Sequence, residues 1–289
     1  MSTLNNKIDF AVVVAVNHAN PNGDPINGNR PRETYNGYGE ISDVCLKRKI
    51  RNRLQDMGES IFVQSDERNT DGYRCLSDRA SGAEELKAAG KDRNSYAKAA
   101  CEKWIDVRSF GQVFAFKSKN KDKDSGVSVG VRGPVSIQPA FSVDEIEIAD
   151  IQITKSVNSE PGEDGKKSSD TMGMKYRVDF GLYVTKGSIN CQLAEKTGFT
   201  EDDAEKIKDA LISLFENDTS SARPDGSMEV IKVFWWKHNS KSGQCSSAKV
   251  HRTLQIKRKD PNVIPASADD YQISVEPIEG LAMEEYEGL

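Results

Sequence analysis

The segment Ile8–Val16 reads IDFAVVVAV and runs directly into Asn17–Arg32, which reads NHANPNGDPINGNRPR. The first segment is short, β-branched and almost continuously apolar, which predicts a strand buried on both faces. The second segment, here called the Asn-rich loop, offers amides, backbone N–H groups and guanidinium groups, with Asp24 as its single acid. Such a set of groups suits the binding of a polyanion better than chemistry on a small substrate.

A basic helix follows this loop. Ser42 is predicted to cap a helix that runs to Met57 and stops at Gly58. Its apolar residues recur at helical spacing and should face the core, which leaves the basic residues for the remaining sides. The apolar set is Leu46, Ile50, Leu54 and Met57, and the basic set is Lys47, Arg48, Lys49, Arg51 and Arg53. We expect loop and helix to form one groove that follows a phosphate backbone; a solvated helix face is the alternative.

The order of the remaining elements predicts the fold. Residues 59–105 read as an insertion, in which 65–82 lacks periodicity and 83–104 is predicted to be helical. Strand patterns follow at 127–141, 172–190 and 229–236, and a helix with a capping box at Thr200 and Asp203 precedes the last of them. The order strand, helix, strand, strand, helix, strand predicts an α+β fold: a modified ferredoxin-like or RNA-recognition-motif core, with an antiparallel sheet and two helices on one face. The tail after Pro265 is expected to be peripheral.

Two polar segments interrupt this core. Residues 117–126, KSKNKDKDSG, are predicted to form a mobile charged loop, and residues 156–170, SVNSEPGEDGKKSSD, are expected to be disordered in the isolated chain. Met172 and Met174 follow the second segment. Paired methionines are usually core filler, but at the base of a mobile hairpin they could wedge between nucleic-acid bases.

Charge is distributed unevenly along the chain. The formal net charge is −5, but Asp269–Leu289 holds seven acids and no Lys or Arg, so residues 1–268 are close to neutral. Basic clusters occur at 47–53, 117–123 and 249–259, which favours oriented attraction of a polyanion. The five cysteines and three histidines are scattered, which argues against disulfides and a zinc site. With no signal peptide and no long apolar run, we expect a cytoplasmic protein without membrane contact.

Three further patterns are weaker. The segment Arg108–Val113, RSFGQV, partly matches the RNP1 consensus of RNA-recognition motifs, which we interpret as coincidence because one Gly and one aromatic are missing. A bracing ion pair between Asp106 and Arg108 is the commoner role for these side chains. Arg132, within the glycine-rich segment 126–134, could reach a phosphate. Since no nucleophile–base spacing and no metal motif stands out, we expect no enzyme, no cofactor and no metal.

Several motifs together resemble one family. The sequence combines the Asn-rich loop and the basic helix with Asp106-x-Arg108-x-Phe110-Gly111, with GPVSIQ at 133–138, and with Thr171-Met172-Gly173-x-Lys175. In this order and spacing, over roughly residues 8–237, they resemble the repeated backbone subunit of type I CRISPR surveillance complexes (Cascade), above all the type I-C form. Met174 departs from the pattern, because a basic side chain is expected at that position in relatives.

The resemblance implies a right-hand shape. Its palm is a modified RNA-recognition-motif sheet (residues 1–58, 126–153 and 175–289), with a fingers insertion (59–125) and a thumb hairpin (154–174). Identical copies stack head to tail along a CRISPR guide RNA into a helical filament, together with other Cascade subunits. Each thumb displaces one base at regular intervals, and the remaining bases pair with target DNA. The backbone subunit of type I systems is not a nuclease.

Motifs and resemblance together predict a set of RNA-binding residues. These are Asn20, Asn22, Gly23, Asp24, Asn27, Arg30, Arg32, Lys47, Lys49, Arg51, Arg108, Phe110, Arg132, Met172 and Lys175. Two alternatives remain open: a metal-dependent backbone subunit of a type III-like complex that cleaves target RNA with a loop Asp, and a stand-alone single-strand RNA-binding module.

Overall fold

The computed structural model describes residues 2–116, 128–157 and 172–289. Within these ranges the strands are β1 (Ile8–Ala19), β2 (Gly23–Asp24), β3 (Arg30–Pro31), β4 (Tyr38–Ile41), β5 (Gly111–Ala115), β6 (Ser128–Arg132), β7 (Val135–Ile137), β8 (Ala140–Glu145), β9 (Ile148–Thr154), β10 (Met172–Ile189), β11 (Met228–Lys237), β12 (Leu254–Arg258), β13 (Tyr271–Val275) and β14 (Ala282–Glu287). The helices are α1 (Asp43–Asp56), α2 (Leu76–Gly82), α3 (Glu84–Ala89), α4 (Arg93–Lys103), α5 (Ile105–Phe110), α6 (Cys191–Thr197), α7 (Glu201–Ile212) and α8 (Ser247–His251).

An antiparallel sheet with β1 at its centre organises the chain. Its strand order is β14-β11-β1-β10-β8-β4, and β7 and β9 also pair with β10. Val13 of β1 lies opposite Val184 of β10 and Lys232 of β11, so both edges of β1 are paired along its length. Ile8–Val16 is buried throughout, which confirms the prediction of a strand covered on both faces.

The first face of the sheet is covered by the two predicted helices. Phe10, Val12 and Val14 point to this side, because alternate residues of a strand share a face. They join one core with apolar residues of α1 and α7, namely Leu46, Ile50, Leu54, Ala204, Ile207 and Leu211. Both predicted caps are present: the Ser42 hydroxyl accepts the N–H of Cys45, and Thr200 and Asp203 form a reciprocal capping box.

The second face of the sheet is also covered, which corrects the expectation of a peripheral tail. Ala11, Val13 and Ala15 pack against Val250, Leu254 and Tyr271, which belong to α8, β12 and β13. Beyond them, β14 pairs with β11 and extends the main sheet. The physical reason lies in β1 itself, because Ala11, Val13 and Ala15 on this side are apolar and require a covering layer. Within the described residues, both faces of the sheet are therefore covered at β1.

The insertion after α1 has a core of its own. Phe62, Trp104 and Phe114 meet at ring-centroid distances of 4.7 and 5.1 Å, measured from Phe62, and small apolar residues of α2–α4 surround them. The helix predicted over 83–104 is two helices, since the chain turns at Gly90 with a φ of +63°. The predicted charged loop at 117–126 lies outside the described residues. In the ranges described, no helix is long and apolar enough to cross a membrane.

Candidate nucleic-acid interface

The Asn-rich loop folds into a small hairpin of its own. Strand β2 pairs with β3, and the Asp24 carboxylate accepts the N–H of Ile26 at 3.2 Å to start a single 3-10 turn. Gly28 and Asn29 complete the turn with φ values of +57° and +62°. A Cβ on Gly23 would lie 2.0 Å from the side-chain oxygen of Asn29. Asp24 therefore braces the loop through a backbone N–H, and Gly23 makes room for another loop side chain.

Two asparagines attach this loop to the rest of the chain. The buried Asn20 donates from Nδ2 to the Asn29 carbonyl at 2.7 Å. Asn22 accepts at Oδ1 from the N–H and the hydroxyl of Ser42, at 2.9 and 2.8 Å. Since Ser42 caps α1, these two hydrogen bonds attach the loop to the start of the basic helix. The predicted proximity of loop and helix is therefore present, and much of the amides' hydrogen-bonding capacity is used within the protein.

The β9–β10 pair meets the same loop. Tyr176 lies opposite Asp150 in the ladder, and Arg30 contacts both: its guanidinium forms an ion pair with Asp150 and lies 5.6 Å from the Tyr176 ring centroid. Met172 and Met174 share the face of Tyr176, because side chains alternate along β10. Both methionines are at least half exposed. Lys175 points to the opposite face, so it and Met172 do not form one site.

Contrary to the prediction, two basic residues of α1 do not lie at the surface. Lys49 is 3% exposed, pairs with Asp218 and lies over the ring of Phe215. Burial lowers the pKa of its amine, and the neighbouring carboxylate opposes that effect. Arg51 donates to Asp106 at 2.9 Å and is largely buried. The sequence carries a signal for Lys49, which lies three residues after Leu46 and beside Ile50, hence near the apolar face.

The prediction that Asp106 and Arg108 pair with each other is wrong. Asp106 is fully buried and accepts from Arg51 and from the N–H groups of Phe62 and Val63, at 2.9, 2.7 and 3.1 Å. Arg108 donates instead to Asp203. Residues two apart on a helix point in different directions, which separates the two side chains. Phe110 is half-buried beneath the guanidinium of Arg51, 5.1 Å from its ring centroid. Three residues of the predicted RNA-binding set therefore take part in the contacts that join the insertion to α1 and α7, namely Arg51, Arg108 and Phe110.

The remaining predicted residues lie on the surface to different degrees. Lys47 pairs with Asp43 at 2.9 Å, and Arg32 lies 3.6 Å from Asp24. Asn27 is exposed on the 3-10 turn. Arg132 and Lys175 have no ion-pair partner among the residues that the structure describes, and they lie on different elements, β6 and β10. The part of the chain that the structure describes contains no group of three or more His, Cys, Asp or Glu placed to hold a metal ion.

The structure adds two residues to this surface that the sequence prediction missed, Asp150 and Tyr176. For Tyr176 a signal exists in the sequence, since it continues the period-two row of Met172 and Met174. For Asp150 nothing in the local sequence indicates contact with Arg30, which lies 120 residues away. The candidate interface is thus the place where the Asn-rich loop, the start of α1 and the β9–β10 pair converge.

The sequence and the fold of the chain are similar to those of known proteins. A family model, "CRISPR-associated protein Cas7", matches residues 6–276. A curated relative, CRISPR-associated protein Cas7 of Haloferax volcanii, is 29% identical over 231 residues, which are 76% of this chain and 67% of the relative. Among solved structures, a chain of "CRISPR RNA-guided surveillance complex, pre-nicking" is similar with a TM-score of 0.48 at 16% identity, covering 80% of this chain and 75% of that one. A chain of "CRISPR RNA-guided surveillance complex" has a TM-score of 0.44 at 16% identity, with coverages of 80% and 68%. Because the family model spans nearly all of the sequence, the chain belongs to the CRISPR-associated Cas7 family.

Proposed function

We propose that this chain is the guide-RNA-binding backbone subunit of a type I CRISPR surveillance complex, in its type I-C form, and that it acts as a scaffold without catalysis. Family membership supports the general role. The observation that carries the RNA-binding assignment is the convergence of two elements on the Asn-rich loop. The cap of α1 contacts the loop at Asn22, and the β9–β10 pair contacts it at Arg30.

The chemistry of that surface fits recognition of a backbone. Its partly exposed cations are Arg30, Arg32 and Lys47, which suit phosphate oxygens and carry no information about base identity. In RNA-guided systems sequence is read by base pairing between guide and target DNA, so the protein needs only backbone and shape. We therefore assign these three residues to phosphate contacts. Lys49, Arg51 and Arg108 hold the surface in place.

The architecture supports the proposed division into palm, fingers and thumb. Strands β11, β1, β10 and β8 lie in that order with α1 and α7 on one face, which is the arrangement of a ferredoxin-like palm. The separate core around Phe62 supports the fingers at 59–125. The β9–β10 pair supports a thumb at 154–174, although its tip at 158–171 lies outside the described residues.

The exposed methionines have a place in this proposal. Met172 and Met174 extend outward from Tyr176 on the side of the Asn-rich loop, so a strand held at Arg30 would pass them. Unbranched apolar side chains can insert between neighbouring bases and unstack them. We propose that they displace a base at each subunit. Head-to-tail contacts between identical copies, which do not close into a ring, would repeat this along the guide.

One experiment tests the function directly. The full chain is expressed with a CRISPR transcript and its processing partners, and the nucleic acid that co-purifies is sized. We expect a discrete short RNA of uniform length, with binding that weakens as salt rises. Recovery of a nucleic-acid-free monomer that ignores added transcript at low ionic strength would overturn the proposal. Incubation with labelled target RNA and Mg²⁺ or Mn²⁺ should leave the RNA intact; cutting that Asp24→Ala abolishes would favour the type III-like alternative.

A further inference from the structure

The surface cations of the candidate interface are already paired with carboxylates of the same chain. Lys47 pairs with Asp43 one helical turn away, and Arg32 lies beside Asp24 on its own hairpin. Arg30 differs, because its partner Asp150 comes from another element 120 residues away in the sequence. Asp43 is also the first residue of α1, and Asp24 also accepts the N–H of Ile26 in the turn of its own hairpin. Within the described residues, the Asp150 carboxylate makes no such contact with its own strand.

The position of Asp150 is set by the sheet. It lies opposite Tyr176 in the β9–β10 ladder, which directs its side chain to the face that carries Tyr176. Its side chain is half exposed, and it accepts no second hydrogen bond from any residue within 2–116, 128–157 and 172–289. An exposed carboxylate whose one partner is a proposed phosphate-binding guanidinium occupies the place that a phosphate would take. Carboxylate and phosphate oxygens accept from the same edges of that group.

Arg30 is held independently of this carboxylate. Its guanidinium lies over the Tyr176 ring, and such stacking uses the face of the group and leaves its N–H edges free. Its backbone is fixed by the β2–β3 pairing and by the Asn20 bond to the adjacent Asn29 carbonyl. The guanidinium can therefore stay in place while its acceptor changes from Asp150 to a phosphate.

We infer that Asp150 is a specificity-determining residue that competes with the nucleic-acid backbone for Arg30; this rests on the proposed function. A carboxylate attached to the same fold is present at high effective concentration, so a stray phosphate displaces it poorly. Each copy carries its own Asp150, so a bound strand must displace this carboxylate at every subunit. A strand does so where its other contacts to the same subunit supply the free energy. Asp150 thus lowers the affinity for nucleic acid that makes few other contacts and selects for strands that make many.

The test compares three single variants and one double variant of the full chain. Asp150→Asn removes the competing charge, and Glu147→Gln is the matched control: it makes the same charge change on a nearby exposed carboxylate with no ion-pair partner in the described part of the chain. Binding of short oligouridine and oligothymidine is measured by fluorescence anisotropy at low salt. We expect Asp150→Asn to bind both about fivefold tighter than the wild type, the scale of a partly exposed ion pair, and Glu147→Gln to bind as the wild type does.

The double variant tests whether the gain in affinity depends on the Arg30 guanidinium. In Arg30→Gln the affinity should fall, and adding Asp150→Asn to it should give no gain, since the competition needs the guanidinium. A gain that persists without Arg30, that appears equally in Glu147→Gln, or that is confined to RNA would overturn the inference and leave the proposed function standing. If neither the wild type nor any variant binds either oligonucleotide at low salt, the proposed function itself fails and the inference falls with it.

Discussion

Arg108 donates to both carboxylate oxygens of Asp203, at 3.0 and 2.7 Å, across 95 residues of sequence. The same carboxylate accepts from the backbone N–H and the hydroxyl of Thr200 and so caps α7. Arg108 also donates to the carbonyl of Cys101 in the insertion. One guanidinium therefore connects the insertion to the helix layer of the sheet.

Arg108→Met should lower the free energy of unfolding by about 3 kcal/mol, because it leaves the buried Asp203 charge without its partner. Denaturant unfolding measures this. Lys98→Met is the control, since its pair with Glu102 is exposed and its loss should change stability by about 0.5 kcal/mol or less. Equal changes in the free energy of unfolding of the two variants would show that the Arg108–Asp203 pair stabilises the fold no more than an exposed pair does.

Lys47→Gln should weaken RNA binding without changing the fold. The ammonium is partly exposed and pairs with Asp43 one turn away, so it is available to a phosphate. Loss of one phosphate contact should reduce the slope of log affinity against log salt by about 0.7 for a single strand. Lys87→Gln removes a similar exposed pair, with Glu84, on the insertion and serves as the control. An unchanged slope in Lys47→Gln would remove this residue from the interface.

Met172→Ser combined with Met174→Ser should leave thermal stability almost unchanged, because both side chains are at least half exposed. The change should instead disturb regular assembly on the guide, since polar side chains cannot wedge between bases. Ribonuclease protection of the assembled RNA reports this as loss of a periodic pattern. A clear fall in melting temperature would show that the two methionines are core filler.

The stability of the protein should fall as the pH drops below the ordinary histidine value of 6.5. Burial lowers the pKa of His251, whose Nε2 contacts the Gly187 carbonyl at 3.0 Å. The unfolded chain then binds a proton before the folded chain does, so acid favours unfolding by at most about 1.4 kcal/mol per pH unit for this group. His251→Gln should reduce that slope in urea unfolding.

The half-exposed His18 is the control for the pH prediction, and His18→Gln should keep the dependence of the wild type. If His251→Gln and the wild type lose stability in parallel between pH 6.5 and about pH 5, another group is responsible.

Local chemistry was sufficient to predict much of the framework. The nearly continuous apolar run at Ile8–Val16 and the Ser42 and Thr200 caps each depend on residues within a few positions, and all are present in the structure. The contact of the Asn-rich loop with α1 also followed from their order along the chain.

The assignment of the basic residues did not follow from local pattern. Lys49 meets Asp218 and Arg51 meets Asp106, each through packing between distant elements. Composition showed that cations were concentrated there, but an ion pair depends on which elements the fold brings within a few ångströms.

By itself the sequence determined the central strand, the two helices that cover its first face and a loop chemistry suited to phosphate. Only the tertiary structure decided which cations remain available, that a C-terminal layer closes the second face of the sheet, and that Asp150 meets Arg30. The division has one physical cause: strand, turn and cap preferences act over a few neighbouring residues, whereas burial and ion pairing act between elements that are distant in the chain and close only after folding.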